Sequence, residues 1–134
     1  FNDLVEKNDL QGIVIPSIRT PKNIIDLAKN KLNQKNIVID TIDKKAYLSA
    51  LSLAKYIAIT CDSTSMISEA ALTGKPIYVA DIPTKKNDQR FQKFKKLFHQ
   101  LNVIKKLDTK LETWDYEILD ETSRVAKEIK KQLT

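Results

Sequence analysis

Glycine is the first scarcity: the 134 residues hold two, Gly12 and Gly74. A phosphate-cradling P-loop needs several glycines within a few positions, so a P-loop ATPase is excluded. Histidine is scarcer still, with His99 alone and no cysteine or acid cluster of metal-ligand spacing beside it. No Ser-His-Asp set can be argued from one histidine. We read His99 as a surface residue and expect neither a metal nor a cofactor. Cys61 is the single cysteine, which rules out an internal disulfide and points to a reducing compartment. We read it as a small buried thiol. No run approaches the ~18 apolar residues that cross a bilayer, and no secretory hydrophobic region opens the chain. The expectation is a cytoplasmic protein without a transmembrane segment; peripheral membrane contact stays open. An initiator methionine is also missing, since the chain opens at Phe1. A fragment of a longer polypeptide is expected.

What is present suits one soluble globular domain. The apolar fraction is 42% and the charged fraction 30%, both ordinary for such a chain. A chain of this length buries roughly 70% of its unfolded surface, enough for a real core. The formal net charge is +6, and the excess is local. Lys85, Lys86, Arg90, Lys93, Lys95 and Lys96 lie within twelve residues against the single acid Asp88. Such a patch suggests one anionic contact surface and not a general nucleic-acid coat. Phe91, Phe94 and Phe98 stand at helical spacing and read as core, whereas nucleic-acid binding wants exposed aromatics beside the charges. No nucleic-acid partner is expected.

The apolar pattern alternates between two periods. Residues 1–11 read as a linker or the end of a preceding helix. Gly12 to Ser17 contains a short apolar run, read as a buried strand. Pro21 opens a helix carrying Ile24, Ile25, Ala28 and Leu32, and Ile37 to Asp40 is a second strand. Tyr47, Ala50, Leu51 and Ala54 place a helix over 44–54. Tyr56 to Thr60 is a third, buried strand. Met66, Ile67, Ala70 and Ala71 form one helical stripe ended by Gly74. Ile77 to Ala80 is a fourth strand after Pro76, a position where proline is tolerated. A further helix follows on Phe91, Phe94, Phe98 and Leu101. A long terminal helix carries Ile118, Thr122, Val125, Ala126, Ile129 and Leu133. Strands alternating with helices of ten to fifteen residues mean βαβ units, hence an α/β fold with a parallel sheet. Residues 12–134 are expected to form it.

Open parallel sheets bind ligands at the carboxyl ends of their strands. Two such ends are polar here: Ser17-Ile18-Arg19-Thr20, and Thr60-Cys61-Asp62-Ser63-Thr64-Ser65. The second joins a buried strand directly to a helix, whose first turn offers free N–H groups and partial positive charge to a phosphate. Asp62, Ser63, Thr64 and Ser65 can cap that helix or donate hydroxyls to phosphate oxygens. Glu69 shares a face with Ser65 at i, i+4 and lies well off the apolar stripe. A carboxylate there can accept hydrogen bonds from a ribose diol. The plain alternative is a capped helix carrying one surface acid, worth about 0.3–1 kcal/mol. Arg90 follows strand four on the same sheet edge, where a ligand phosphate could meet it. Lys95 and Lys96 read as a solvated helix face.

The stretch Asp62-Ser63-x-Ser65-Met66-x-x-Glu69-Ala70 with Thr73-Gly74-Lys75-Pro76 resembles the signature of the mitochondrial-fission, elongated-mitochondria (ELM) family. Ser17, Arg19, Thr20 and Pro21 resemble that family's first-strand motif; Arg90-Phe91 with Phe94, and Trp114 with Tyr116, also match. The resemblance covers nearly the whole chain from Gly12. More distantly the layout resembles the C-terminal domain of two-domain GT-B glycosyltransferases. It implies a Rossmann-like parallel sheet with helices on both faces, completed by a missing N-terminal domain of the same protein. It implies a nucleoside diphosphate sugar as ligand, with Ser17, Arg19, Ser63 and Ser65 at the phosphates and Glu69 at the ribose. Thr20, Asp62, Thr64, Met66 and Arg90 complete the implied nucleotide-sugar site. Two departures stand out: Ile18 replaces an expected second arginine, and Lys45-Ala46 replace Asn-Pro before Tyr47. The first removes a positive fork and should weaken phosphate binding.

The resemblance implies a glycosyltransferase-like protein whose catalytic residues lie in the absent half. Two alternatives share the fold. One is a non-catalytic interaction module using the basic helix and the terminal helix. The other is half of a sugar-nucleotide 2-epimerase.

Overall fold

The computed structural model of the protein describes residues 1–32, 34–60, 63–82 and 89–133. The chain divides into two compact units, residues 1–54 with 108–111, and residues 55–107 with 112–134.

The first unit runs α1 (Asn2–Lys7), β1 (Ile13–Val14), α2 (Lys22–Lys31), β2 (Ile37–Val38) and α3 (Lys44–Leu53). Residues 1–11 hold α1, whose Val5 is buried and whose Asn2 Nδ2 donates to the Lys31 carbonyl at 2.7 Å. β1 and β2 are parallel, with Ile13 opposite Ile37 and Val14 opposite Val38. Gly12 precedes β1 because nothing larger fits. A Cβ there would collide with the Phe1 ring and the Asn36 side chain, whose Oδ1 accepts the Gly12 N–H at 2.8 Å. Pro21 stands just before α2, where its missing N–H has no consequence. Asp43 caps α3 by accepting from the amides of Lys45 and Ala46 at 2.8 and 3.1 Å.

The first strand was expected to be buried, but it is two residues long and Ile13 is 43% exposed, as is Ile37 at 44%. Directly opposed residues share a sheet face, so the two isoleucines are uncovered together.

The second unit runs β3 (Ile57–Thr60), α4 (Thr64–Ala71), β4 (Ile77–Ala80), α5 (Gln89–Gln100), β5 (Ile104–Lys106) and α6 (Glu121–Leu133). Its sheet is parallel in the order β3-β4-β5. The central β4 buries Ile77, Tyr78 and Val79, while β3 alternates, with Ile57 and Ile59 inside and Ala58 and Thr60 outside. Ile67, Ala70 and Ala71 of α4 join Val103 and Ile104 in this core. Each buried isoleucine or valine side chain gains about 1.5–3 kcal/mol from burial, so the core lies around β4. Parallel strands flanked by helices make this a Rossmann-like α/β protein.

β5 is absent from the sequence-based reading. Lys105 and Lys106 interrupt its apolar run, and only Val103 and Ile104 are buried. The available signal is Asn102, which takes φ 57° after α5, a helix-ending conformation that asparagine tolerates. Ile118 also lies outside α6, which begins at Glu121. Ile118 packs instead against Gly74.

Residues 112–118 cross the amino ends of all three strands. The Tyr78 hydroxyl accepts the Glu112 amide at 2.6 Å and lies 3.1 Å from the Glu112 carbonyl, to which it donates. Trp114 Nε1 donates to the Asn102 carbonyl before β5 at 2.8 Å, and the Tyr116 hydroxyl donates to the Lys75 carbonyl before β4 at 2.9 Å. The Trp114 ring stands edge-on to Tyr78 with centroids 5.2 Å apart, a favoured aromatic geometry. The strap covers the amino edge of this sheet, and the polar strand end after β3 lies at its carboxyl edge.

Candidate functional site at the carboxyl edge

The best-defined polar strand end follows β3. Ser63 donates its amide to the Thr60 carbonyl at 3.4 Å, and its own carbonyl accepts the Ile67 amide at 3.1 Å. Ser63 is therefore the N-cap of α4, yet its side chain makes no capping hydrogen bond, and the residue is 7% exposed. The amides of Thr64, Ser65 and Met66 occupy the first turn, where an α-helix supplies no carbonyl partner. Thr64 and Met66 are half-buried; Ser65 and Glu69 are both exposed. Ile67, Ala70 and Ala71 occupy the buried face of the same helix. The structure thus brings Ser63, Thr64, Ser65, Met66 and Glu69 onto one short helix, with the acid one turn beyond Ser65 and away from the core. Cys61 and Asp62, read from sequence as a buried thiol and as part of this turn, lie outside the described residues.

Ser17, Arg19 and Thr20 belong to the first unit, in the turn after β1. The Thr20 amide donates to the Ser17 carbonyl at 2.9 Å, and the Ser17 amide donates to Thr20 Oγ1 at 2.9 Å. The Arg19 amide donates to Ser17 Oγ at 3.3 Å, and the two hydroxyl oxygens are also 3.3 Å apart. Both hydroxyls are thus engaged in forming the turn. This ordered turn exposes Ile18, at 89%, and Arg19.

Arg90 is the second residue of α5 and is exposed. Lys85, Lys86 and Asp88 of the basic segment lie outside the described residues. Phe91, Phe94 and Phe98 are half-buried and stack on one another, with centroid separations of 6.4 and 4.2 Å.

Sequence reasoning passed over Asp81, the first residue beyond β4. Its carboxylate bonds to the Lys95 ammonium and lies 3.9 Å from that of Lys106, the last residue of β5. The hydrogen bond from Lys95 is the main cause holding the Asp81 carboxyl below the usual carboxylate range, with Lys106 and His99 adding to it. Lys95 was expected on a solvated face. Its side chain is 19% exposed and ion-paired; Lys96 is exposed. A usable signal existed, because an acid directly after a buried strand sits at the ligand-binding end of a parallel sheet.

A cavity of about 120 Å³ lies in the first unit, lined by Val5, Glu6, Asp9, Leu10, Lys35 and Asn36. Gly12 and Asn36 directly precede β1 and β2, so this cavity adjoins the amino ends of the strands and contains none of the predicted residues. Among the described residues, no group of three His, Cys, Asp or Glu is placed to hold a metal, and no helix is long and apolar enough to cross a membrane.

The family model "Mitochondrial fission ELM1" matches residues 1–133. An uncharacterized protein of Rickettsia prowazekii (strain Madrid E) is 35% identical over 137 residues, an alignment covering 97% of this chain and 38% of that protein. The mitochondrial fission protein ELM1 of Arabidopsis thaliana is 28% identical over 122 residues, covering 87% of this chain and 28% of that protein. The chain thus spans well under half the length of both relatives. No solved structure matches it. The match runs through both units, and on it the chain belongs to the mitochondrial fission ELM1 family.

Proposed function

We propose that the chain is the nucleotide-diphosphate-sugar-binding part of a GT-B glycosyltransferase-like protein. One observation carries this reading. α4 begins directly after a core strand, and its N-cap Ser63 makes no capping hydrogen bond. Ser65 and Glu69 share its exposed face. The first-turn amides and hydroxyls suit a diphosphate, since a helix N-terminus concentrates donors and partial positive charge. Glu69 suits a ribose diol as acceptor of two hydroxyl hydrogens. Arg90, in the same unit as α4, is the cation this reading assigns to phosphate oxygens.

Glycosyl transfer would belong to the whole protein, so this chain alone should bind donor without turning it over. Thermal denaturation against UDP, GDP and their sugars tests the reading. Ligand at ~100 times its Kd adds about 2.7 kcal/mol, so at least one nucleotide should raise the melting temperature by several degrees. Glu69→Ala should leave the unliganded melting temperature within a degree or so, because Glu69 is exposed, and should abolish most of the nucleotide shift. No shift with any nucleotide overturns the reading.

A second reading, a non-catalytic interaction module, draws on α6. Every described residue of that helix is exposed, Val125 and Ile129 included. The Arabidopsis relative is named for mitochondrial fission. Partner capture that survives Glu69→Ala but fails after charge reversal at Lys93 and Lys96 would favour this second reading. A sugar-nucleotide 2-epimerase half shares the fold and would show nucleotide binding with no partner capture.

A further inference from the structure

We propose that Lys95 and Lys106, held together by Asp81, form an anion seat for the diphosphate group of the ligand; this rests on the nucleotide-diphosphate reading of the same edge. Three elements converge there. Asp81 follows the last residue of β4, Lys106 ends β5, and Val79 pairs with Lys106 in the ladder. Helical side chains tilt toward the helix N-terminus. The long Lys95 side chain therefore reaches back from the second turn of α5 to the strand ends. There its ammonium meets Oδ1 of Asp81, while Lys106 Nζ lies 3.9 Å from Oδ2. Two ammonium groups share one carboxylate, so the cluster keeps an excess positive charge. Lys106 is largely exposed and Asp81 is half-exposed, so an incoming anion has access.

The placement beside the α4 start follows from register. Thr60 and Ala80 are cross-strand partners. Asp81 thus continues the strand next to the one that leads to Ser63. In this arrangement the Asp81 carboxylate keeps two like charges side by side and occupies the position a phosphate oxygen would take. Lysine suits the role as a compact charge with three donors. A purely structural ion pair fastening α5 to the end of β4 would leave anion affinity unchanged in Asp81→Asn, whereas the seat predicts a stronger one.

Inorganic pyrophosphate is the probe, with the melting temperature of the intact chain as readout and ionic strength held constant with sodium chloride. Pyrophosphate should stabilise the wild-type chain. Lys95→Met and Lys106→Met should each weaken its apparent affinity by about tenfold, as expected when one close charge partner is lost. Asp81→Asn should strengthen it on the order of fivefold, because both ammonium groups then face the anion unopposed. If Lys95→Met does not fold, Lys106→Met decides alone, since that side chain is exposed. No pyrophosphate shift in the wild type, an unchanged affinity in Lys106→Met, or a weaker one in Asp81→Asn overturns the seat. Nucleotides distinguish the two claims. A nucleoside diphosphate shift that depends on Glu69 but ignores both lysines sinks the seat and leaves the nucleotide reading standing. A lysine-dependent pyrophosphate shift with no nucleotide response does the reverse.

Discussion

Gly74 shows how much a single residue can carry. It takes φ +69° between α4 and β4, and Ile118 lies 3.2 Å from where its Cβ would stand. A left-handed conformation costs an L side chain roughly 1–2 kcal/mol, and the isoleucine must also give way. Gly74→Ala should therefore destabilise the protein by about 1–2 kcal/mol, read as a lower urea midpoint at unchanged slope. The need for glycine here was legible in sequence, because a helix stripe, a glycine and a Lys-Pro pair follow one another. Its clash partner was not, since Ile118 is 44 residues away and reads as part of the last helix. Glu69 was also legible, because helical periodicity alone separates it from Ile67, Ala70 and Ala71. For Asp81 the place after a buried strand was legible, but its partners were not, since nothing local in the sequence says that Lys95 and Lys106 approach it.

Among the elements, α6 is the extreme case. Every one of its residues is exposed, so its caps and side-chain pairs carry much of its stability. Asp120 caps it by accepting from the Ser123 amide at 3.1 Å and the Ser123 hydroxyl at 2.6 Å. Arg124 Nη2 pairs with Glu121 at 2.6 Å, an i, i+3 pair worth a few tenths of a kcal/mol. Asp120→Ala should cost the helix about 0.5–2 kcal/mol. Amides of α6 should then exchange with solvent several-fold faster, while those of β4 stay protected. Equal loss of protection in β4 would show that α6 is coupled to the sheet. The existence of α6 was predictable from its periodicity. That its apolar side chains Val125, Ile129 and Leu133 remain exposed among the described residues is a tertiary fact.

For the molecule as a whole, pH dependence should be asymmetric. Burial pushes the phenols of Tyr78 and Tyr116 above the usual range near 10. A group whose folded pKa is raised contributes stability that is present below its unfolded pKa and is lost as pH rises through the folded value. The protein should therefore lose stability above about pH 10, as the unfolded chain ionises these tyrosines first. Urea denaturation at pH 8 and pH 11 measures this, and the alkaline loss should shrink when Tyr116→Phe removes one phenol. A loss of equal size in that variant would mean that Tyr116 contributes none of it. The Asp81 carboxyl, held low mainly by Lys95, acts with the opposite sign. Its contribution is present above the ordinary carboxylate range and is lost as pH falls through its lowered value.

From the sequence alone follow the α/β class, four of the five strands among the described residues and the helix that opens after β3. Hydrophobic period and turn residues are properties of neighbouring positions, and they survive without a folded partner. The tertiary structure alone decided which strand ends meet, which lysines share Asp81, and that residues 112–118 cover the amino edge of the β3-β4-β5 sheet. Those outcomes depend on pairing between residues tens of positions apart, whose free energy arises from burial around β4 and leaves no periodic mark on the chain.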